Sequence, residues 1–159
     1  MSELHIEHAT DARNGALLIE TVMSRADEFP CVYGKADRDR VRTMVARVIS
    51  DPQYALFVAY VNDKPILFIA GYLCKELYNH NLYGCIDLIL SPDKAESSPF
   101  MLKALHDSFD DFARWAFDKG AKRITAGHTN MSATGETIEK LLLRWGYVHA
   151  GRLFVLEAA

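Results

Sequence analysis

The sequence predicts an α/β protein in which helices cover both faces of one central mixed sheet. Two observations support this prediction. Apolar patterns with the periods of strands and helices follow one another in the order β-α-α-β-β-β-α-β-α-β. The segment Cys85–Leu90 is almost entirely apolar, which is typical of a strand buried on both faces. The chain has 159 residues and no repeat or linker, so a single domain over residues 1–159 is predicted.

The first third of the chain is predicted to supply one strand and two helices. Leu4–Ala9 alternates weakly between apolar and polar residues, which indicates a strand. Asp11 is a typical N-cap for a helix that ends near Ser24. Asp37 begins a second helix, which stops before Pro52. The predicted inner face of the first helix consists of Ala12, Ala16, Ile19 and Met23.

The next two strands, Tyr54–Val61 and Ile66–Leu73, are predicted to form a hairpin. Asn62 and Asp63 lie between them, and such a pair favours a tight turn. Because this turn divides the apolar region into two short runs, the region is predicted to be two strands and not a membrane span.

The centre of the chain is predicted to be a β-α-β unit whose helix spans residues 98–119. Ser98 is a typical N-cap, Pro99 fits the first helical position, and Gly120 fits the position just past the end. The strand Arg123–Gly127 follows. Such a unit directs the positive end of the helix at the carboxyl end of the preceding strand, where small anionic cofactors are commonly held.

A final helix and strand are predicted to close the chain. The apolar face of that helix consists of Ile138, Leu141, Leu142 and Trp145. Gly146 fits the left-handed position that ends a helix, and Tyr147–Glu157 is predicted to be the last strand.

Composition argues against several classes of protein. A net charge of −3 gives no general electrostatic reason to bind nucleic acid or an anionic membrane. Cys31, Cys74 and Cys85 are odd in number and lack the spacing of metal ligands, so free thiols and no metal site are predicted. The N-terminal residues lack the features of a secretory signal, and the cytoplasm is therefore the expected location.

Three local patterns together resemble one protein family. Asp87–Pro92 is similar to that family's fourth strand. Trp115–Ile124 is similar to the end of its cofactor helix and the entry to its fifth strand, and Leu141–Tyr147 is similar to its closing helix. In this order and at these separations the patterns resemble the GNAT superfamily of acyl-CoA-dependent N-acetyltransferases. The resemblance covers nearly the whole chain and implies a GNAT-like fold.

The resemblance implies acetyl-CoA as cosubstrate and an amine acceptor as partner. In the family the fourth and fifth strands splay apart, and the pantetheine arm of CoA pairs with the fourth strand. Here this implies contacts from the backbone of Leu88, Ile89 and Leu90. The pyrophosphate is expected at the loop 93–98. The predicted ligand contacts beyond the strand are Lys94, Ser97, Ser98 and Asn130.

Two departures from the family pattern bear on activity. The family's phosphate loop carries glycines and an arginine, whereas the loop here has neither and places two acidic residues, Asp93 and Glu96, beside the expected pyrophosphate. Many family members have a tyrosine in the last helix that protonates the leaving thiolate. The matching position is Leu142, which has no proton to donate.

Asp87 and His128 are the candidate catalytic residues. Asp87 matches a family position that is sometimes an acidic residue acting as base, and a carboxylate bonded to a neighbour near the sheet surface is the alternative. His128 follows the fifth strand, and the unperturbed pKa of a histidine suits proton transfer near neutrality. Its alternative is a histidine bonded to loop backbone, and for Asn130 it is a simple turn residue.

Two functions therefore compete. The first is an N-acetyltransferase that transfers acetyl from acetyl-CoA to a small-molecule or protein amine. The second is a catalytically inactive GNAT-fold module with a binding or structural role. The closing pattern also resembles GNAT-like proteins of tailed bacteriophages, some of them virion-associated, which leaves the virion as an alternative location. A homo-oligomer or larger assembly stays open.

Overall fold

The computed structural model describes residues 3–26, 36–77, 79–92, 95–126 and 135–148. These residues form five strands, four α-helices and one short 3₁₀ turn. In chain order the elements are β1 (Leu4–His8), α1 (Ala12–Arg25), α2 (Arg38–Ser50), β2 (Tyr54–Val61), β3 (Lys64–Lys75), β4 (Leu82–Leu90), the 3₁₀ turn (Ala95–Ser97), α3 (Met101–Asp118), β5 (Ala121–Ala126) and α4 (Gly135–Arg144). The predicted mixed α/β class is confirmed. The predicted closing strand lies outside the described residues from position 149 onward.

The five strands form one mixed sheet in the order β1-β2-β3-β4-β5. The first three junctions are antiparallel, and β4 and β5 are parallel. The parallel junction is the one that the predicted β-α-β unit requires, because α3 connects its two strands. Within the described elements, no helix combines the length and apolarity needed to cross a bilayer.

Helices cover both faces of this sheet, as predicted. On one face α3 and α4 pack over a core that includes Phe57, Ile69, Ile86, Phe112 and Leu142. On the other face α1 and α2 pack over a second core that includes Leu18, Val45, Val58, Phe68 and Leu90. Successive residues of β2 and β3 alternate between the two cores, since side chains of a strand point to opposite faces in turn.

The hairpin turn between β2 and β3 is confirmed at Asn62 and Asp63. Both residues have positive φ angles, 50° and 61°. Asparagine and aspartate tolerate this left-handed region better than other side chains, and two such residues in sequence match the twist of a hairpin.

The predicted inner face of α1 is wrong, although its N-cap, Asp11, is confirmed. The residues that α1 buries are Asn14, Gly15, Leu18, Thr21 and Val22. Asn14 and Gly15 face inward although neither belongs to an apolar pattern. The Asn14 amide is bonded to three other side chains. Gly15 faces Ile49 of α2 so closely that an added Cβ would lie 3.2 Å from it.

The predicted start of α3 is also wrong. The helix begins at Met101 and not at Ser98, and its N-cap, Phe100, makes no side-chain capping bond. Local turns precede it, because the amide of Ser98 donates to Ala95 and the amide of Met101 donates to Ser98. The Ser98 hydroxyl accepts from the Phe100 amide at 3.3 Å, so it caps a turn outside the helix. Gly120 follows α3 with a φ of 93°, as its position predicts.

Candidate active site

The parallel strands β4 and β5 pair along the first part of β4. Their described pairing runs from Leu82 and Ala121 to Ile86 and Ala126, the last described residue of β5. Beyond this point Leu88–Leu90 of β4 pair with β3. The predicted separation of the fourth and fifth strands stays a prediction, because positions 127–130 lie outside the described residues.

A β-bulge lies at the same point of β4. Ile86 pairs with Gly71 and Leu88 with Ala70, so Asp87 is an extra residue with none opposite. Gly71 is required here, because a Cβ on it would lie 2.2 Å from the Cys85 carbonyl oxygen and 2.6 Å from the Phe112 ring. A bulge bends a strand, increases its twist and redirects a side chain. This bulge directly follows the last described pair of β4 and β5, Ile86 with Ala126.

Asp87, the candidate base, is exposed at the bulge. The pKa of Tyr72 is raised, first by its hydrogen bond to Cys85 and the negative charge of the Cys85 thiolate, then by burial, and then by the negative charge of Asp87. Tyr72 pairs with Cys85 across β3 and β4 and lies on the sheet face that α1 and α2 partly cover. Asp87 follows Cys85 by two residues in β4 and is thus near this face.

The side chains of the predicted pantetheine strand are turned towards the two cores. Leu88 and Leu90 belong to the α1–α2 core, and Ile89 packs against the α3–α4 core. The predicted contact through the backbone of these three residues stays a prediction.

The predicted phosphate-binding residues lie partly within the described chain. Ser97 is exposed at the end of the 3₁₀ turn, and Ser98 is half-buried. The oxygen atoms of Ser98 already accept from the amides of Phe100 and Met101, so two donors near the start of α3 have local partners. Lys94, His128 and Asn130 lie outside the described residues.

An arginine that the sequence prediction missed lies at the carboxyl end of β4. Arg25, the last residue of α1, donates through Nη1 to the Ser91 carbonyl oxygen at 2.7 Å and to its hydroxyl at 3.3 Å. Ser91 is buried and directly follows β4. The contact places a cationic group at the entry of the loop 93–98. The two residues are 66 positions apart, and only the packing of α1 against the end of β4 brings them together.

Leu142, which matches the family's proton donor, is a core residue. Its side chain is 8% exposed and packs in the same cluster as Phe109 and Phe112. Tyr147 follows α4 and packs edge-on against Phe109, with ring centroids 6.1 Å apart, and burial raises its pKa. Among the described residues, no group of three or more His, Cys, Asp or Glu is arranged to hold a metal ion.

Solved structures share this fold over the full chain. The aminoglycoside N-acetyltransferase AAC(6')-Iy, in complex with a bisubstrate analogue of CoA, is 12% identical with a TM-score of 0.72 over 99% of both chains. A predicted acetyltransferase from Clostridium acetobutylicum with acetyl-CoA is also 12% identical, with a TM-score of 0.71 over 99% of this chain and 96% of that one. The ribosomal-protein-alanine N-acetyltransferase of Brucella melitensis biovar Abortus 2308 is 14% identical, with a TM-score of 0.63 over 100% of both chains.

These likenesses confirm the GNAT-like fold that the sequence patterns implied. No protein-family model matches the chain, and no curated protein matches it either. At 12–14% identity the structural neighbours show the fold alone. The activity is therefore inferred from the geometry of the site.

Proposed function

We propose that the protein is an N-acetyltransferase that uses acetyl-CoA as cosubstrate and acetylates an amine of a small molecule or a protein. The observation that carries this proposal is the β-bulge at Asp87, which places an exposed carboxylate within β4, next to the segment expected to bind the pantetheine arm. Neighbours of the same fold bind CoA or acetyl-CoA, which agrees with the proposal.

In this proposal the pantetheine arm of acetyl-CoA lies along the last part of β4. Backbone groups of Leu88, Ile89 and Leu90 would contact it there, as the resemblance to the family implies. The loop 93–98 would face the pyrophosphate, with Lys94, Ser97 and Ser98 as contacts, and Asn130 would meet the ligand from the β5 side. Arg25 adds a positive charge at the entry of the same loop.

Asp87 would act as the base. It accepts a proton from the acceptor ammonium, and the neutral amine then attacks the thioester carbonyl. A carbon–nitrogen bond forms, the carbon–sulfur bond breaks, and the CoA thiolate leaves. The nitrogen gives up its second proton, and this proton reaches the thiolate through water, because Leu142 is an apolar core residue and has none to donate. His128 is the second candidate for proton transfer.

The first experiment is a thermal-shift titration of the pure protein with acetyl-CoA. Binding to the folded state alone raises the melting temperature by about 5–10 °C at a hundredfold excess over the dissociation constant. Asp87→Asn should keep this shift and lower turnover by about a hundredfold or more. Asp118→Asn, at an exposed position on α3, is the matched control and should keep both. Full turnover in the Asp87 variant would remove Asp87 from the mechanism.

The second candidate function is an inactive GNAT-fold module, with a virion-associated protein as one form of it. The bonds from Phe100 and Met101 to Ser98 favour it, since they occupy donors near the expected pyrophosphate. Absence of any shift at millimolar acetyl-CoA would support the module and reject the enzyme.

A further inference from the structure

A row of tyrosines lies on the sheet face that α1 and α2 cover only in part. Tyr72 and Tyr83 are half-buried and belong to neither core. Each pairs across β3 and β4 with a half-buried cysteine, Tyr72 with Cys85 and Tyr83 with Cys74. In the described chain this part of the face therefore presents two aromatic rings and two thiols that the helices leave partly accessible.

A third ring extends this row across the sheet to β2. Tyr54 pairs with Tyr72, and their ring centroids are 5.7 Å apart. We use the term tyrosine face for Tyr54, Tyr72 and Tyr83 together. Such a surface offers wide aromatic contact with few rotatable bonds, and aromatic rings attract both apolar groups and cations.

Arginines stack on the two outer rings of the tyrosine face. The Arg47 guanidinium lies 4.9 Å from the Tyr54 ring centroid, and the Arg123 guanidinium lies 5.4 Å from that of Tyr83. Each also contacts a carboxylate, Arg47 to Asp51 at 3.6 Å and Arg123 to Glu76 at 3.1 Å. The outer rings are thus already engaged by cations, and Tyr72 is the ring between them.

The tyrosine face borders the Asp87 bulge. Asp87 is exposed and follows Cys85, the cross-strand partner of Tyr72, by two residues in β4. At the two ends of the row, Asp51 and Glu76 are each paired with an arginine. Asp87 therefore offers a carboxylate for one ligand ammonium, whereas a further ammonium would have to compete with an arginine for Asp51 or Glu76.

We propose that the tyrosine face is the acceptor subsite and that it selects a monoamine with an aromatic or apolar body, held by its ammonium at Asp87 and by its body on Tyr72. The catalytic meaning of this subsite rests on the proposed function. The class differs from the aminoglycosides named for two neighbours, because a second or third ammonium would meet carboxylates that arginines already occupy.

Direct binding tests the subsite without acetyl-CoA. 2-Phenylethylamine is titrated into the protein and followed by calorimetry, with spermidine as the polycationic comparison. The expected result is saturable binding of 2-phenylethylamine, at least tenfold tighter than that of spermidine. Spermidine binding as tightly as 2-phenylethylamine, or no binding of 2-phenylethylamine, overturns the proposal.

Variants of Tyr72 locate the binding. Tyr72→Leu should weaken 2-phenylethylamine about tenfold through the lost ring contact. Tyr72→Phe keeps the ring, so its affinity should stay within about threefold of the original, and it covers the case in which Tyr72→Leu does not fold. Phe117→Ala removes an exposed ring on α3 and should leave affinity unchanged. Equal affinity in Tyr72→Leu and the original protein overturns the proposal.

Acetyl-CoA turnover separates the two proposals. If 2-phenylethylamine binds with this dependence on Tyr72 and acetyl-CoA gives no thermal shift, the acetyltransferase function fails and the subsite stands. If acetyl-CoA binds and an amine is acetylated at a rate that Tyr72→Leu does not change, the function stands and the subsite fails.

Discussion

Asn14 joins three elements through one buried amide group. Its Nδ2 atom donates to Glu7 of β1 at 3.0 Å and to the N-cap Asp11 at 2.7 Å, and its Oδ1 atom accepts from the Tyr60 hydroxyl of β2. The residue is 1% exposed and Tyr60 is 2% exposed. Removing the amide leaves polar groups in a place that water does not reach, and a buried group without a partner is costly.

We therefore expect Asn14→Ala to lower the free energy of unfolding by about 2–4 kcal/mol, since it removes bonds to charged groups and strands the Tyr60 hydroxyl. Chemical denaturation measures this change. The control is Asn81→Ala, the same substitution at an exposed position, where a loss of less than about 0.5 kcal/mol is expected. Equal losses in the two variants would show that the buried bonds contribute nothing.

Individual residues also show which local features could be predicted from sequence and which could not. Asn62 and Asp63 were predictable because a turn depends on residues next to each other. Asn14 and Arg25 were not, since each owes its position to partners elsewhere in the chain. An apolar pattern assigns a polar residue to solvent, and only the packed structure supplies the bonds that keep Asn14 inside.

At the scale of elements, the bulge in β4 depends on the strand beside it. It forms where Asp87 is the extra residue, and Gly71 of β3 lies opposite without a side chain. The sequence predicted both strands, although each extends beyond its predicted bounds. It did not predict the bulge, because register between strands is set by cross-strand packing and not by either strand alone. The start of α3 at Met101 was not predicted either, because local turns precede the helix there.

Comparing the stability of Gly71→Ala with that of Gly120→Ala distinguishes two costs of an added methyl group: a steric clash and an unfavourable φ angle. The added methyl at Gly71 meets backbone and the Phe112 ring, so we expect a loss of about 3 kcal/mol or more. At Gly120 it meets open space, and the cost comes from the φ of 93° alone, about 1–2 kcal/mol. Thermal or chemical unfolding of both variants checks this order. A Gly71 variant as stable as the Gly120 variant would show that β3 and β4 can separate at the bulge.

At the scale of the whole molecule, β2 contributes to both cores along most of its length. Its residues facing α3 and α4 are Ala55, Phe57 and Ala59, and those facing α1 and α2 are Leu56, Val58 and Tyr60. All six are buried. The periodicities of the chain predicted this two-sided cover, and the overall fold was therefore predictable from sequence. The candidate site was less predictable, because the bulge at Asp87 depends on the register of β3 and β4. Its predicted residues Lys94, His128 and Asn130 lie outside the described residues.

The placement of acetyl-CoA along β4 can be tested by hydrogen exchange of the whole protein, read at single amides by NMR. Exchange at Leu88–Leu90 is first measured in the free protein, with the amides of β2, which is covered on both faces, as the slow reference. Saturating acetyl-CoA should slow exchange at Leu88–Leu90 at least tenfold, because the bound arm would contact and stabilise this backbone. The edge strand β1 is the internal control, since its amides open by local fraying and should keep their rates. If acetyl-CoA stabilises the protein while exchange at Leu88–Leu90 stays as fast as without it, the ligand binds elsewhere and the β4 placement is wrong.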